Sequence, residues 1–153
     1  MWNKAAILFS VLALTACDDG TDPADSPDGG GGAGGGGFPL AGSWVDTFGT
    51  THTITEDAWV QTFMGADSTF AFVDINTEQR QILAQNDAAN MFNPGLYSRF
   101  DWVVDGEDVF VCQAAFDKAT AQDAAAVAPS DDSDPLNGGC GGMFPWTQLL
   151  PEE

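Results

Sequence analysis

From Phe38 onward the sequence predicts an all-β fold, a small antiparallel meander or barrel of about seven to eight strands with one short helix. Three observations lead there. Turn-forming pairs recur at short intervals, the segments between them are rich in Val, Thr, Phe and Trp, and large apolar residues recur at alternate positions within those segments.

The first segment, SWVDTF, places Trp44, Asp46 and Phe48 on one face, because successive strand side chains point to opposite sides. Phe48-Gly49 ends it and THTIT follows. Glu56-Asp57 turns the chain into AWVQTFM, where Trp59, Gln61 and Phe63 share a face, and Gly65-Ala66-Asp67-Ser68 turns it again into TFAFVDI. Asn76-Thr77 separates that segment from RQILAQ. Asn93-Pro94-Gly95 reads as a type II turn, with proline fixing φ at the second position and glycine taking positive φ at the third. In the next segment, YSRFDWVV, Phe100, Trp102 and Val104 fall on one face. Asp105-Gly106, ahead of DVFVCQA, is the clearest hairpin signal, an Asp-Gly pair suited to the two positive φ angles of a type I′ turn. The aromatic face is the expected interior, since burying rings at about 25 cal/mol per Å² supplies most of the drive in a small domain. Val45, Val60 and Val103 fall on the opposite face, so part of the outside also needs cover. A capping-box pattern from Thr120 to Asp123, ahead of the apolar run Ala124 to Ala128 and a stop at Pro129, predicts the helix that supplies it.

Two segments of different composition precede this domain. Residues 18–37 read DDGTDPADSPDGGGGAGGGG, with no large apolar side chain to offset the entropy of ordering, and are expected to be a disordered linker. Such a coil spans roughly 25 Å root-mean-square. Its aspartates lack the D-x-D-x-D-G order and terminal Glu of a calcium loop. Residues 1–16 carry Lys4 and then a run from Ala5 to Ala16 that is apolar apart from Ser10 and Thr15, the pattern of a signal peptide. As a helix that run rises about 18 Å, short of a hydrocarbon core about 30 Å thick, so it is not expected to span a membrane.

Leu14-Thr15-Ala16-Cys17, closing that run, resembles the lipobox of bacterial lipoproteins, in which a small residue precedes the cysteine. The resemblance implies cleavage between Ala16 and Cys17, a diacylglyceryl group on the Cys17 sulfur and acylation of the new amino group. Two or three chains at about 0.8 kcal/mol per buried methylene make a lasting anchor, which a single chain does not. The domain plan is then a signal peptide at 1–16, a lipidated Cys17 with its acidic, Gly-rich linker at 17–37, and a β domain at 38–153. The implied address is the bacterial cell envelope, outside the cytoplasm, with inner or outer membrane left open. Gly42-Ser43-Trp44 resembles the G-x-W that opens lipocalin-type barrels, whose tryptophan plugs the barrel base and often stacks under a late-strand arginine; Arg99 is the candidate for that role. The segments VCQAAFD and GGCGGMFPW are similar to the C-terminal pattern of uncharacterised bacterial envelope lipoproteins with Gly-rich linkers. That likeness covers most of residues 38–150 and brings no activity with it.

Charge excludes one class of partner. The 23 acidic residues stand against four basic ones, a net charge of −19, and all the acids follow Cys17. Such a chain repels phosphate backbones, whose binding depends on Lys and Arg displacing counterions, so no nucleic-acid partner is expected. With Cys17 assigned to lipid, Cys112 and Cys140 remain, and in an oxidising compartment they are expected to form a disulfide. It would close a loop of about 29 residues, worth roughly 3.5 kcal/mol on the chain-entropy estimate. Two widely spaced cysteines lack the partners of a zinc site, and no metal or cofactor is expected.

Catalytic patterns are sparse. His52 is the single histidine, with Asp46 and Asp57 in principle within reach, and Asp101 with Asp105 is a carboxylate pair of the kind glycosidases use. No G-x-S-x-G, H-E-x-x-H, P-loop or G-x-G-x-x-G pattern occurs. The sequence is therefore read as a non-enzymatic, membrane-anchored envelope lipoprotein in a structural or protein-interaction role, offering loops 87–97 and 129–139 to an envelope partner. The alternative is a lipocalin-like binder whose mouth, lined by some of Trp44, Trp59, Phe72 and Trp102, admits a small apolar or amphipathic ligand. A filled aromatic core is the competing use of those four rings.

Overall fold

Seven of the expected segments become strands, and an eighth closes them into a barrel. The computed structural model describes residues 37–152. The strands are β1 (Gly42–Asp46), β2 (Thr51–Ile54), β3 (Ala58–Phe63), β4 (Ala66–Asn76), β5 (Gln81–Asn86), β6 (Tyr97–Asp105), β7 (Asp108–Lys118) and β8 (Thr147–Pro151). Each pairs antiparallel with the next, and β8 returns to β1 with Val45 opposite Leu150 and Asp46 opposite Leu149. Closure leaves no edge strand, although β7 runs on past the end of β8. The eighth strand has no counterpart among the seven expected segments, because TQLLP is short, unpunctuated and poor in β-branched residues.

Two hairpins form slightly away from the expected position. Phe63 pairs with Ala66, so the turn between β3 and β4 is Met64-Gly65, both at positive φ, and Ala66 to Ser68 extend β4. Asp105 pairs with Asp108, so Gly106-Glu107 form the next two-residue turn, with positive φ only at Gly106. That is the II′ pattern rather than I′, because a single glycine in the first central position suffices once Asp105 stays in the ladder. The Asn93 carbonyl accepts from the Leu96 N–H around Pro94 and Gly95, as a type II turn requires.

Alternation fills the barrel. Ile54, Trp59, Phe70, Ile82, Phe100, Trp102, Val111 and Leu149 form the core, with Trp59 stacked on Phe100 at 4.6 Å and Phe70 edge-on to Phe100 at 5.0 Å. An eight-stranded barrel has an interior that side chains of this size can largely fill. A bulge leaves Val73 out of the β4–β5 register, which lets both Phe72 and Ile75 pack against the core despite their odd spacing. Strand order sends alternate connections to opposite ends. One end carries the β2–β3, β4–β5 and β6–β7 turns together with the residues before β1. Here Leu40 is fully buried, and Phe38 meets Phe72 and Trp102 edge-on at 6.1 and 5.8 Å, sealing that end.

Outside the barrel, the connection from β7 to β8 covers the outward face of β6 and β7. It begins with the helix α1 (Ala121–Ala125), whose cap Thr120 accepts the Asp123 N–H through its hydroxyl at 3.1 Å. The apolar run was expected to stay helical to Ala128, yet α1 stops at Ala125. The reason is Arg99, which is fully buried and turns outward, not inward under a tryptophan. Its guanidinium donates to the carbonyls of Ala125, Val127 and Ala128, groups left unpaired at a helix C-terminus. Asp101 balances the charge, with Oδ2 3.1 Å from Nη2 and Oδ1 2.9 Å from Nε, the latter an ion-pair contact without hydrogen-bond alignment. Farther along, Cys112 and Cys140 form the expected disulfide, with S–S 2.01 Å and Cα–Cα 5.5 Å. Val103, Phe110 and Trp146 pack around it as a second, smaller core. Gly139 is required where this connection folds on itself, because a Cβ there would sit 1.8 Å from the Asp131 carbonyl oxygen.

Candidate functional site

The other end of the barrel is open. β8 is short and pairs with β7 only up to Val111, so the wall falls away beside Gln113 and Thr147. The opening leads into a cavity of about 140 Å³. Its floor is Trp59, Phe100 and Val111; its walls carry Gln61, Gln113, Thr50 and Thr147; one corner is the Asp46–His52 pair. Gln61 lies on β3 and Gln113 on β7, four strands apart in an eight-stranded ring, so the two amides stand on opposite sides of the cup.

The corner is fixed by hydrogen bonds. Asp46 Oδ1 accepts the backbone N–H groups of Phe48 and Thr50 at 2.8 and 2.9 Å, and Oδ2 lies 3.3 Å from His52 Nε2. On the other side of the ring, Trp59 Nε1 donates to His52 Nδ1 at 3.1 Å. Nδ1 is therefore the acceptor and Nε2 carries the proton. Burial pushes the Asp46 pKa up, but the N–H groups of Thr50 and Phe48, the Thr50 side chain and His52 outweigh it and hold the carboxyl below its usual range. Burial lowers the His52 pKa, and the hydrogen bond and charge of Asp46 offset only part of that, so the neutral ring is favoured.

Around the mouth stands a set of exposed apolar side chains. Phe48 comes from the β1–β2 connection, Phe63 and Met64 from the β3–β4 hairpin, Met91 and Phe92 from the β5–β6 connection, and Phe116 from the end of β7. Their exposures run from 50% at Phe63 to 90% at Met64. The β5–β6 connection is held firmly: the Asn90 side chain brackets the backbone of Thr69 with two 2.8 Å hydrogen bonds, and the buried Asn86 donates to the carbonyls of Asn93 and Phe116. Leu136, Met143 and Phe144 are also exposed, on the connection outside the barrel.

The residues singled out in the sequence fall into separate places. Trp59 backs the cup, whereas Trp44, Phe72 and Trp102 belong to the packing that involves Phe38 and Leu40, away from the mouth. The Trp44 indole donates to the Leu40 carbonyl at 2.9 Å, and Arg99 lies on the opposite face of the sheet. His52 meets Asp46 and not Asp57, which sits in the β2–β3 turn at the sealed end. Asp101 is spent on Arg99 and Ser130, and Asp105 lies four strand residues on, about 13 Å away at 3.3 Å per residue. That exceeds the roughly 5–9.5 Å separation of glycosidase carboxylates. Cys17 lies outside the described residues. Of the two loops expected to meet a partner, 87–97 flanks the mouth, while 129–139 runs along the barrel wall and is tied by Ser130 to Asp101 and by Asp132 to Arg80. A shallow depression of about 200 Å³ beside Asp131 and Asp134 lies on this wall segment, with its carboxylates turned onto Ser133 and Asn137 of the same loop. Among the described residues there is no helix long and apolar enough to cross a membrane and no group of three or more His, Cys, Asp or Glu placed to hold a metal ion.

Fold and site together define an up-and-down β-barrel with one sealed end and one hydrogen-bonding cup. No protein-family model matches the chain, and no curated protein or solved structure does either.

Proposed function

We propose that the protein is a lipid-anchored envelope lipoprotein whose β-barrel head has a non-catalytic, structural role, docking another envelope protein through its open end. The observation that carries this reading is the rim. Six large apolar side chains from four parts of the chain stand in solvent at one end, and clustered exposed apolar surface marks a contact site where scattered single residues do not. The anchor rests on the Leu14–Cys17 pattern. The first described residues, Gly37 and Phe38, lead into β1 at the sealed end, opposite the rim.

Two features support contact over chemistry. Both nitrogens of His52 are engaged, one by Asp46 and one by Trp59, so neither is free to take a proton from a substrate. The cavity is about 140 Å³, against roughly 300–1,000 Å³ for ordinary small-molecule pockets, which argues against a lipid-sized ligand inside the barrel. Labelled palmitate is expected to enter the wild-type chain and not a Cys17→Ser form; absence of label from the wild type removes the anchor. Crosslinking in intact cells is expected to join the wild-type head to a partner and to fail for a Met64→Ser/Phe92→Ser double variant. Equal capture by both forms, or capture of the lipoprotein alone, removes the docking role.

A further inference from the structure

We propose that the cup is a binding site for the acetamido group of a neutral amino sugar. The inference goes beyond the docking role and does not depend on the anchor. It begins with Asn86. Both hydrogens of its amide are spent on the carbonyls of Asn93 and Phe116, so its Oδ1 points at Ser98, 2.6 Å away, and the Ser98 hydroxyl must donate to it. Ser98 Oγ is then left as an acceptor, and Gln113 Nε2 donates to it at 3.1 Å. This relay fixes the orientation of the Gln113 amide and leaves Oε1 as an acceptor for the cup. Across the cup, the Gln61 side chain has no hydrogen-bond partner among the described residues, so its amide is free to turn and offers either its N–H or its carbonyl.

A group seated between the two glutamines therefore has to bring a donor for Gln113, and any acceptor it carries can be met by the Gln61 N–H. A secondary amide carries both. It also has to be uncharged, because the Asp46 carboxylate is already spent on Phe48, Thr50 and His52, while the strongly acidic chain repels anions. Size narrows the choice further. At roughly 30 Å³ per water, the cavity holds about four to five waters, which matches the four non-hydrogen atoms of an acetamido group and not a whole sugar ring. Its methyl would lie on the apolar floor of Trp59, Phe100 and Val111, and the carrier ring would sit at the mouth, where the exposed faces of Phe48, Phe63 and Phe92 can cover its C–H surface.

The test is an NMR titration of the full-length chain in zwitterionic detergent, following the Gln61 and Gln113 amides and the Trp59 indole N–H. N-acetylglucosamine and its short oligomers are expected to shift all three, and glucose and glucosamine to shift none. Tighter binding by the oligomers assigns the site to the end of a glycan chain, and equal binding assigns it to the free sugar. Gln61→Leu is expected to weaken binding about five-fold, the worth of one neutral hydrogen bond, and Gln61→Asn to do the same while keeping the polarity of the wall. Equal response to glucose, response only to an N-acetylated lysine peptide, or no response from a chain whose spectrum is otherwise well dispersed would overturn the proposal. Loss of cup binding in Gln61→Leu with crosslinking at the rim intact separates this site from the docking role.

Discussion

At the sealed end Phe38, Leu40, Trp44, Phe72 and Trp102 are packed against one another, and the turns around them are acidic, with Glu56 and Asp57, Glu78, and Glu107 and Asp108 all exposed. Val73, Val104 and Leu150 are the large apolar side chains exposed nearby. At the open end the arrangement reverses: the interior is lined by glutamine, threonine and a histidine–aspartate pair, and the apolar side chains stand outside. The same eight strands thus present apolar residues inward at one end and outward at the other. Aromatic packing is concentrated at the sealed end, and the proposed contact surface lies at the other.

The contrast is sharpened most by removing a ring from the sealed end. Trp102→Ala is expected to cost about 3–5 kcal/mol in urea unfolding, because its packing with Phe38 leaves little room for collapse. Opening the disulfide with a Cys112→Ala/Cys140→Ala pair is expected to cost roughly 3.5 kcal/mol, read as a lower midpoint in the same experiment. A smaller effect comes from pH at the open end. The folded His52 has a lowered pKa while the unfolded ring takes its proton near 6.5, so its contribution is fully present above about 6.5 and is lost as pH falls through the folded value. Asp46, also lowered, adds a second loss only below about 3.8. The melting temperature is expected to fall between pH 7 and 5 in the wild type and to fall less in His52→Gln; a rise on acidification would contradict the hydrogen-bonded corner. Least affected is the rim, where Met64→Ser and Phe92→Ser are each expected to change stability by about 0.5 kcal/mol or less. A rim cost equal to that of Trp102→Ala would erase the distinction between the ends.

How much of this was legible differs between the ends too. Alternation in AWVQTFM and YSRFDWVV identifies Trp59, Phe100 and Trp102 as interior, because strand periodicity alone decides the face. Disulfide and helix cap follow from composition and spacing. β8 does not, since its pairing is set by barrel closure and not by any local signal. Arg99 is misread for a different reason: alternation already sets it on the face opposite Phe100 and Trp102, and the role under a tryptophan came only from the G-x-W resemblance. Gln61 is visible on the aromatic face, and Gln113 shares its parity with Val109 and Val111, so two interior amides were available as a signal. The rim was legible only in part: Phe48 and Phe63 share the aromatic face expected to be interior and prove exposed, whereas Met91 and Phe92 fall in the 87–97 loop expected to be outside, and only the tertiary structure gathers them at one end.

The central claim is that contact belongs to the open end. It is tested most directly by placing the same photoreactive side chain at position 64 in one chain and at position 107 in another, and illuminating intact cells. The account predicts a specific adduct from position 64 that Phe92→Ser diminishes, and none from position 107; adducts from 107 alone, or equally from both, would contradict it.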